Sequence, residues 1–572
     1  MQNKIQFLFW AILFSVCSLS FKGATVYPKG VFRNPVGHPI VLAGNFGELR
    51  PNHFHAGLDI KGELGEPVYA AADGYVSKIQ VLPRGYGKIV YITHENGYTT
   101  AYAHLDHFSV QIESLVYAEQ EKKEEFEVVV TPAPGNMYVH KGDVIAYLGM
   151  SGTTFGPHLH FEVRHTASGD AVNPLVFGFE ADLVDHIPPT LTLMKIYETN
   201  AEGFSARSTT KKIAKISDNE FKLEGTDTVL INTDYVGFAV KSFDQADNSA
   251  NLFGLYGLEV YDNGSLIFSF DMERFQYDDN RAVNAHIDYS ERTKNNSYLH
   301  RCFSLAGNPL DIYKDVKNRG LIKLPKGNKP HKVQIVARDY FGNYSKVSFM
   351  VRRNYNTVMN NFGKFPYYMP NTEDNIIRQD KFEVDFPYYA FYEPQFLTHY
   401  TSAATSPDYY SDIIHVHKKG VPISDQYTLR IKPNNLPDSL KKKAVVVECS
   451  SNKPFALQSK WIDDKWLQAR PRDFGQYTIM VDTFAPKITP IDIMPNMKGK
   501  NTFQVKITDK ITGISRYKAI LDGKWALLEY DAKNSLFTHK FREGANGANH
   551  DLIIVVNDRV GNTKQYQASF IR

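Results

Sequence analysis

Short runs that alternate apolar and polar residues fill the chain from Val26 to about Val184, and a period of two is the mark of half-buried strands. Such runs at 67–71, 74–81, 88–93, 99–104, 128–131 and 143–148 predict strands, separated by turn signals at Asp73-Gly74, Gly85-Tyr86-Gly87 and Glu95-Asn96-Gly97. In the stretch SGTTFGPHLHFEVRH, His158, His160 and Glu162 alternate with Leu159, Phe161 and Val163. Residues i and i+2 of a strand share a face roughly 6.6 Å apart. The run therefore predicts two imidazoles and a carboxylate on one face, with the apolar residues packed behind. Glu162 either supports a neighbouring ligand or belongs to a solvated strand face. EKKEE at 121–125 reads as a solvated loop, and Gly85-x-Gly87, with no helix pattern after it, as a hairpin turn rather than a phosphate loop.

Farther along, the pattern repeats itself. VQIVARDYFGNYSKVSFMVR (333–352) resembles LIIVVNDRVGNTKQYQASFIR (552–572), each a β run, Asp-x-x-Gly-Asn and a second β run. Earlier in each copy, 236–264 runs parallel to 502–524, and both end in a tight Asp-containing hairpin turn. Proline-marked linkers, HIPPTLTL (186–193) and TFAPKITP (483–490), precede the two copies. The expected organisation is all-β: a domain at 25–185, an immunoglobulin-like sandwich at 186–353, a β-rich piece at 354–484 with an irregular opening, and a second immunoglobulin-like sandwich at 485–572.

A length of 572 residues agrees with several cores rather than one. The net charge of +3 gives no footing for nucleic acid as a partner. At the N-terminus, Lys4, an apolar run from Ile5 to Val16 and Ser18-Leu19-Ser20 read as a secretory signal peptide over 1–20. A lipoprotein reading through Cys17 is weaker, because Val16 is bulky for such a processing site. No later segment is long and apolar enough to span a membrane, so the expected location is exported, in the periplasm or at the cell envelope. Removing the signal leaves Cys302 and Cys449, which excludes thiolate-ligated zinc and leaves His, Asp and Glu as metal ligands.

Ten of the 19 histidines lie between His38 and His165, which directs attention to that segment. In GNFGELRPNHFHAGLDIKGELGEPVYA, His55 and Asp59 stand four apart, but Pro51, Gly57 and Gly62 argue for a strand or turn rather than a helix. A third element, TTAYAHLDHF, ends a strand at His104. A catalytic zinc needs three N/O ligands and one open position. His55, Asp59 and one of His158 and His160 supply that set, with the other histidine and His104 beside it.

HAGLD, YAHL and GPHLHFEVR, in that order, resemble the motifs of the lysostaphin-type (LytM-like) zinc endopeptidases of bacterial cell walls. The resemblance covers about 40–180. It implies that His55, Asp59 and His160 are zinc ligands, and that His104 and His158 are the catalytic acid–base group and the stabiliser of the attacked carbonyl. The chain departs from the family's short-loop pattern by a long insertion at 109–141. His53, His94, His107, His140 and His165 fall outside the motifs and are expected at the surface or behind the ligands. His415-Val-His417 is expected to be two solvent-facing strand residues.

The expected function is hydrolysis of peptide cross-links in peptidoglycan by a zinc metalloendopeptidase, the β-sandwich tail serving as a spacer or as a surface for a wall or protein partner. The alternative is a non-enzymatic scaffold or activator of another hydrolase. A carbohydrate-cleaving reading is weaker, since no carboxylate pair can be placed. Because the tail repeats at 187–353 and 485–572 show no ligand cluster in the sequence, a fragment ending near 185 is expected to keep its cleavage of small substrates.

Overall fold

The computed structural model of the chain describes residues 26–247, 249–324, 327, 329–354, 367–541 and 549–572. The expected signal peptide at 1–20 and part of the irregular opening near 354 lie outside them. The architecture is all-β, with a few short helices. Among the described residues no helix is long and apolar enough to cross a membrane.

The main N-terminal sheet runs Leu42–Gly44, Leu58–Lys61, His158–His165, Tyr98–Leu105, Lys88–Thr93, Gly74–Val81 and Val128–Val130 from edge to edge. Its neighbouring strands are all antiparallel. The strands expected at 74–81 and 88–93 have those bounds, and the other runs shift by one or two residues. Strand His158–His165 is central: His160 lies opposite Asp59 on one side and Ala103 on the other. Three motifs far apart in the chain thereby become neighbours. A smaller sheet of Pro67–Tyr69, Val144–Tyr147 and His107–Phe108 packs beside it.

The insertion departs from expectation. Helix Val110–Lys123 runs through the first half of the charge run read as a loop, ending at Glu124 in the left-handed conformation. Ile112, Val116 and Gln120 recur every four residues and are buried, so one helical stripe packs on the domain while the charges face solvent.

Beyond residue 185 lie a 12-stranded assembly, two five-stranded sheets and, from residue 487, two four-stranded sheets. The repeat seen in the sequence is also a repeat in topology. Tyr344–Arg353, His331–Arg338, Gly257–Asp262 and Ser265–Asp271 are adjacent in that order, as are Thr563–Ile571, Asn549–Asp558, Ile514–Leu521 and Lys524–Ala526. The two hairpin turns hold Asn263-Gly264 and Asp522-Gly523 at positive φ, the backbone that a two-residue turn between twisted strands requires. In the last unit Phe503, Val505, Phe537, Ile554, Val556 and Phe570, from both sheets, close one core. Neither histidine of His415-Val-His417 simply faces water. His415 is half-buried, accepts or donates to Ser402 and stacks on Tyr400, while His417 leaves the strand at φ 51°.

The N-terminal domain is clasped by the unit that follows it. Ala171–Val172 pairs with Arg274–Phe275, Phe46 stacks on Phe275, and Asn45 exchanges two hydrogen bonds with Gly254. Asn280 caps the backbone N–H and C=O of Phe54, next to His55. The C-terminal sandwich also returns to this domain, with Glu529 pairing to Lys88, Lys518 to Glu124, and Lys533 donating to the carbonyl of Met150.

Two outcomes follow from these contacts. A fragment ending near 185 would expose Phe46 and Phe54, so it is expected to be less soluble and to retain less metal than one ending after 353. Equal solubility and metal content of the two purified fragments would refute this. At Gly57 a Cβ would meet the carbonyl oxygen of Phe161 at 2.3 Å, whereas at Gly156 nothing lies within 4 Å. Gly57→Ala should destabilise the domain by about 1–3 kcal/mol through overpacking, and Gly156→Ala should be near neutral, both read from denaturant midpoints.

Candidate metal centre

His55 enters the centre from the turn before strand Leu58–Lys61, Asp59 from that strand, and His160 from its antiparallel neighbour. All three are buried. His55 Nε2 lies 3.0 Å from Asp59 Oδ1 and 2.9 Å from His160 Nδ1, and His160 Nδ1 lies 2.8 Å from the same carboxylate oxygen. These atoms form a compact N, N, O triangle.

Hydrogen bonds behind the triangle fix which ring nitrogens face it. His55 Nδ1 donates to the carbonyl of Asn45 at 2.7 Å, which leaves Nε2 with its lone pair. His160 Nε2 donates to Glu162 Oε1 at 2.8 Å, which leaves Nδ1 with its lone pair. Two imidazole lone pairs and a carboxylate oxygen thus converge in a buried space, and they repel one another unless a cation or a proton stands among them. Imidazole nitrogens and a carboxylate, without thiolate, are donors that zinc accepts. The residues therefore fit a zinc ion, and the hydrogen bonds from Asn45 and Glu162 orient the ligands as such partners do in metal sites.

The titration behaviour agrees with one shared positive charge. Burial pulls His160 down, but its hydrogen bonds to Asp59 and Glu162 outweigh that and raise it to about 9. Burial lowers His55 to about 4 despite Asp59. Asp59 is held well below the usual carboxylate range, because the interactions with His55 and His160 exceed the cost of burial. In the absence of metal the centre holds a proton on His160.

Two more histidines stand beside the triangle. His158 Nε2 is 3.5 Å from Asp59 Oδ1, and its Nδ1 is turned to the carbonyl of Gly156 at 2.9 Å. His104 stacks edge-on against His158, with ring centroids 4.9 Å apart, and its Nδ1 donates to the carbonyl of Ser151 at 2.9 Å. Both therefore present an unprotonated Nε2. Burial lowers both, His104 to about 3, so both are neutral at pH 7 and able to accept a proton. His104 sits at φ 63°, an uncommon conformation for a non-glycine residue, and its N–H is tied to the carbonyl of Tyr86. Loop 85–87 packs directly on Ser151-Gly152: a Cβ on Gly152 would meet the Gly85 carbonyl oxygen at 2.3 Å. The hairpin read from Gly85-x-Gly87 is thus part of what aims His104.

Structure also resolves the alternatives left for Glu162. It is fully buried, accepting from His160, from Tyr86 at 2.6 Å and from Arg164 at 2.6 Å, and its carboxyl is held far below the ordinary range: burial opposes this, and Arg164 and His160 outweigh it. Among the outlying histidines, His94 is neither exposed nor near the triangle. It is buried and bonds the carbonyl of Asp73 and the hydroxyl of Thr100, holding the turn between two strands. His53 and His140 are exposed, and His107 and His165 are half-exposed.

Sequence reasoning missed several contributors. Arg50 donates to Asp59 Oδ2 at 2.6 Å and to Glu48 at 3.1 Å, so it holds the carboxylate oxygen that the triangle does not use. Tyr86 hydrogen-bonds Tyr277 at 2.9 Å, and Arg164 lies 4.0 Å over the Tyr277 ring, which joins the following unit to the Glu162 network. No periodicity marks these residues. The glycines flanking Tyr86 were the only local signal.

A family model for peptidase family M23 matches residues 53–121, and one for a Zu5-like domain matches 366–482. The first includes His55, Asp59 and His104 and ends before the strand carrying His158 and His160. Among curated proteins, the chain is 37% identical over 121 residues to the DD-carboxypeptidase/endopeptidase Mpg of Neisseria meningitidis serogroup B, covering 21% of this chain and 22% of that protein. It is 36% identical over 119 residues to the murein hydrolase activator NlpD of Escherichia coli K12, covering 21% and 24%. The match thus spans about a fifth of the length of these relatives. Among solved structures, a catalytic-domain mutant of the prophage-encoded M23 protein EnpA from Enterococcus faecalis aligns at 25% identity over 26% of this chain and 99% of that one, with a TM-score of 0.20. On the matched sequence and the motif order, the N-terminal part of this chain is a peptidase family M23 domain of the LytM-like peptidoglycan peptidase family.

Proposed function

We propose that the chain is an exported zinc metalloendopeptidase that hydrolyses peptide cross-links of bacterial peptidoglycan at the cell envelope. The observation that carries this reading is the triangle of His55 Nε2, Asp59 Oδ1 and His160 Nδ1, each lone pair fixed by a hydrogen bond behind it or by the strand pairing, with two neutral histidines alongside. Bound zinc lowers the pKa of water to about 7 and polarises a carbonyl. The Nε2 lone pair of His158 or His104 can take the proton from an attacking water, and the imidazolium so formed can donate from Nε2 to the developing oxyanion and return the proton to the leaving amine. Burial keeps both neutral, which suits acceptance, and the Ser151 and Gly156 carbonyls hold each ring in one tautomer. Arg50 prevents Asp59 from rotating and stabilises its charge.

The second reading is an activator of another hydrolase, and the likeness to a protein named murein hydrolase activator favours keeping it. The complete N, N, O set supports the enzyme, since an activator has no use for a proton acceptor beside a metal. Purified full-length chain incubated with sacculi, followed by mass spectrometry of the released peptides, separates the two. New peptide-bond cleavage by the chain alone supports the enzyme. Release that occurs only when a second hydrolase is added supports the activator.

Substitutions should separate ligands from proton carriers. His160→Ala is expected to lose zinc and activity together. His158→Ala and His104→Ala should keep most of the zinc while kcat falls by roughly 10²–10⁴. Zinc content and kcat on each purified variant check this, and loss of zinc from His158→Ala with retention by His160→Ala would reverse the assignment. The proton on His160 gives a further outcome. It stays bound up to about pH 9 in the metal-free chain, and zinc must displace it. Zinc binding near neutral pH should therefore release about one proton, and apparent affinity should fall about tenfold per unit of pH below 9. Calorimetry in buffers of different ionisation heat measures the release, and none would contradict the charge assignment.

A further inference from the structure

The Asp-x-x-Gly-Asn motif that marks both copies of the tail repeat has no part in the centre described above, yet the fold gives it a definite place. Asp339 begins the first motif. Its two oxygens accept from the N–H and the side-chain amide of Asn343, and that same amide donates to the carbonyl of Asp185 at 3.0 Å. Asp185 lies in the segment that leaves the M23 domain, where it accepts from the N–H of Ile187. Asp244, at the end of strand Tyr235–Phe243, completes the group. One carboxylate oxygen from each of Asp185, Asp244 and Asp339 lies within 4.8 Å of the others, and all three residues are buried.

The junction before the last sandwich has the same construction. Asn562 binds both oxygens of Asp558 and the carbonyl of Asp482, Phe484 N–H donates to Asp482, and Asp509 supplies the third carboxylate. There Asp509 is only half-buried, so the first junction bears the argument.

At that first junction, Asp244 is 5% exposed and its Oδ1 is buried with no hydrogen-bond partner among the described residues. A cavity of about 40 Å³ is lined by Asp185, Asp244 and Asp339, together with Asn45 and Phe46 of the M23 domain. That is room for an ion or a water or two. Burial, with Asp185 and Asp339 beside it, pushes Asp244 up to about 8, and burial raises Asp185 to about 6. Three carboxylates packed around a void, one with an orphaned oxygen, are unfavourable unless a cation or a proton stands among them. The donors are all hard oxygens, which exclude the preferences of zinc or copper for nitrogen and sulfur. Magnesium usually keeps several waters and is held by one or two carboxylates, whereas calcium takes six to eight oxygens in flexible geometry, so three carboxylates around a void of about 40 Å³ fit calcium.

We propose that Asp185, Asp244 and Asp339 bind one calcium ion at the junction between the M23 domain and the first β-sandwich, fixing how the two are joined. Asn45 couples this junction to the zinc centre, since its side chain holds Gly254 of the sandwich while its carbonyl orients His55.

Calorimetric titration of calcium into the zinc-loaded full chain tests this, because the zinc centre is already filled. Asp244→Asn should bind one calcium fewer per chain than the wild type, with zinc content unchanged. Calcium should raise the thermal midpoint of the wild type, and that rise should shrink in the variant. Since Asp244 Oδ1 has no bond to lose, the variant without calcium should melt at or above the wild-type midpoint. The proposal is overturned if the wild type binds no calcium at millimolar concentration, if Asp244→Asn leaves the stoichiometry unchanged, if magnesium binds equally well, or if the calcium-free variant melts lower. Loss of binding in Asp509→Asn but not in Asp244→Asn would place the ion at the C-terminal junction instead, which also overturns it.

Discussion

His160 faces Asp59 across one pair of antiparallel strands, and the centre depends on that register. A slip of one residue would turn every side chain of the strand to the opposite face, placing Leu159 or Phe161 where an imidazole is needed. The register is protected on both sides of the strand. Leu159, Phe161 and Val163 are wholly buried, and Gly57 allows the neighbouring strand to approach the Phe161 carbonyl more closely than any side chain would permit.

Around that register the chain concentrates polar groups that would be costly anywhere else in a core. Glu162 is buried among Arg164, Tyr86 and His160, and each of its bonds has a directional use. Arg164 neutralises it, Tyr86 links it to the next unit, and its bond with His160 turns that ring so that Nδ1 faces Asp59. The network is satisfied and therefore rigid. It also explains why the units after residue 185 are more than an appendage: Asn45, Phe54, Tyr86 and Arg164 all bond or stack against residues between 254 and 280. Among the described residues, the tail braces the groups that orient His55, Asp59 and His160 without adding a side chain to their triangle.

The same logic of buried lone pairs that converge and need a proton or a cation among them governs both polar clusters, with different donors. Two imidazoles and one carboxylate make a borderline-soft set, and three carboxylates make a hard one. Each lies where separate chain segments meet, so a bound cation would hold together elements that the backbone alone leaves loosely connected.

Much of this was legible in the sequence because it rests on local pattern. Period-two alternation gave the strands of the N-terminal sheet, Asn-Gly and Asp-Gly gave the hairpins, and motif order together with the absence of usable cysteine pointed to His55, Asp59, His104, His158 and His160. Where local pattern was ambiguous, tertiary packing decided. The charge run at 121–125 became partly helical because Ile112, Val116 and Gln120 found a surface to bury against. Glu162 could not be told from a solvated strand residue until Arg164 and Tyr86 were seen beside it. Arg50, Asn45 and Tyr277 act across 9 to 191 residues of separation, and no periodicity records such partners. The Asp-x-x-Gly-Asn repeat was visible as a pattern, but the spacing of Asp185, Asp244 and Asp339 along the chain says nothing about their meeting. Sequence determines which groups can form strands and which can hold a charge; only the folded chain determines which of those groups share a space too small for their charges to stand unpaired.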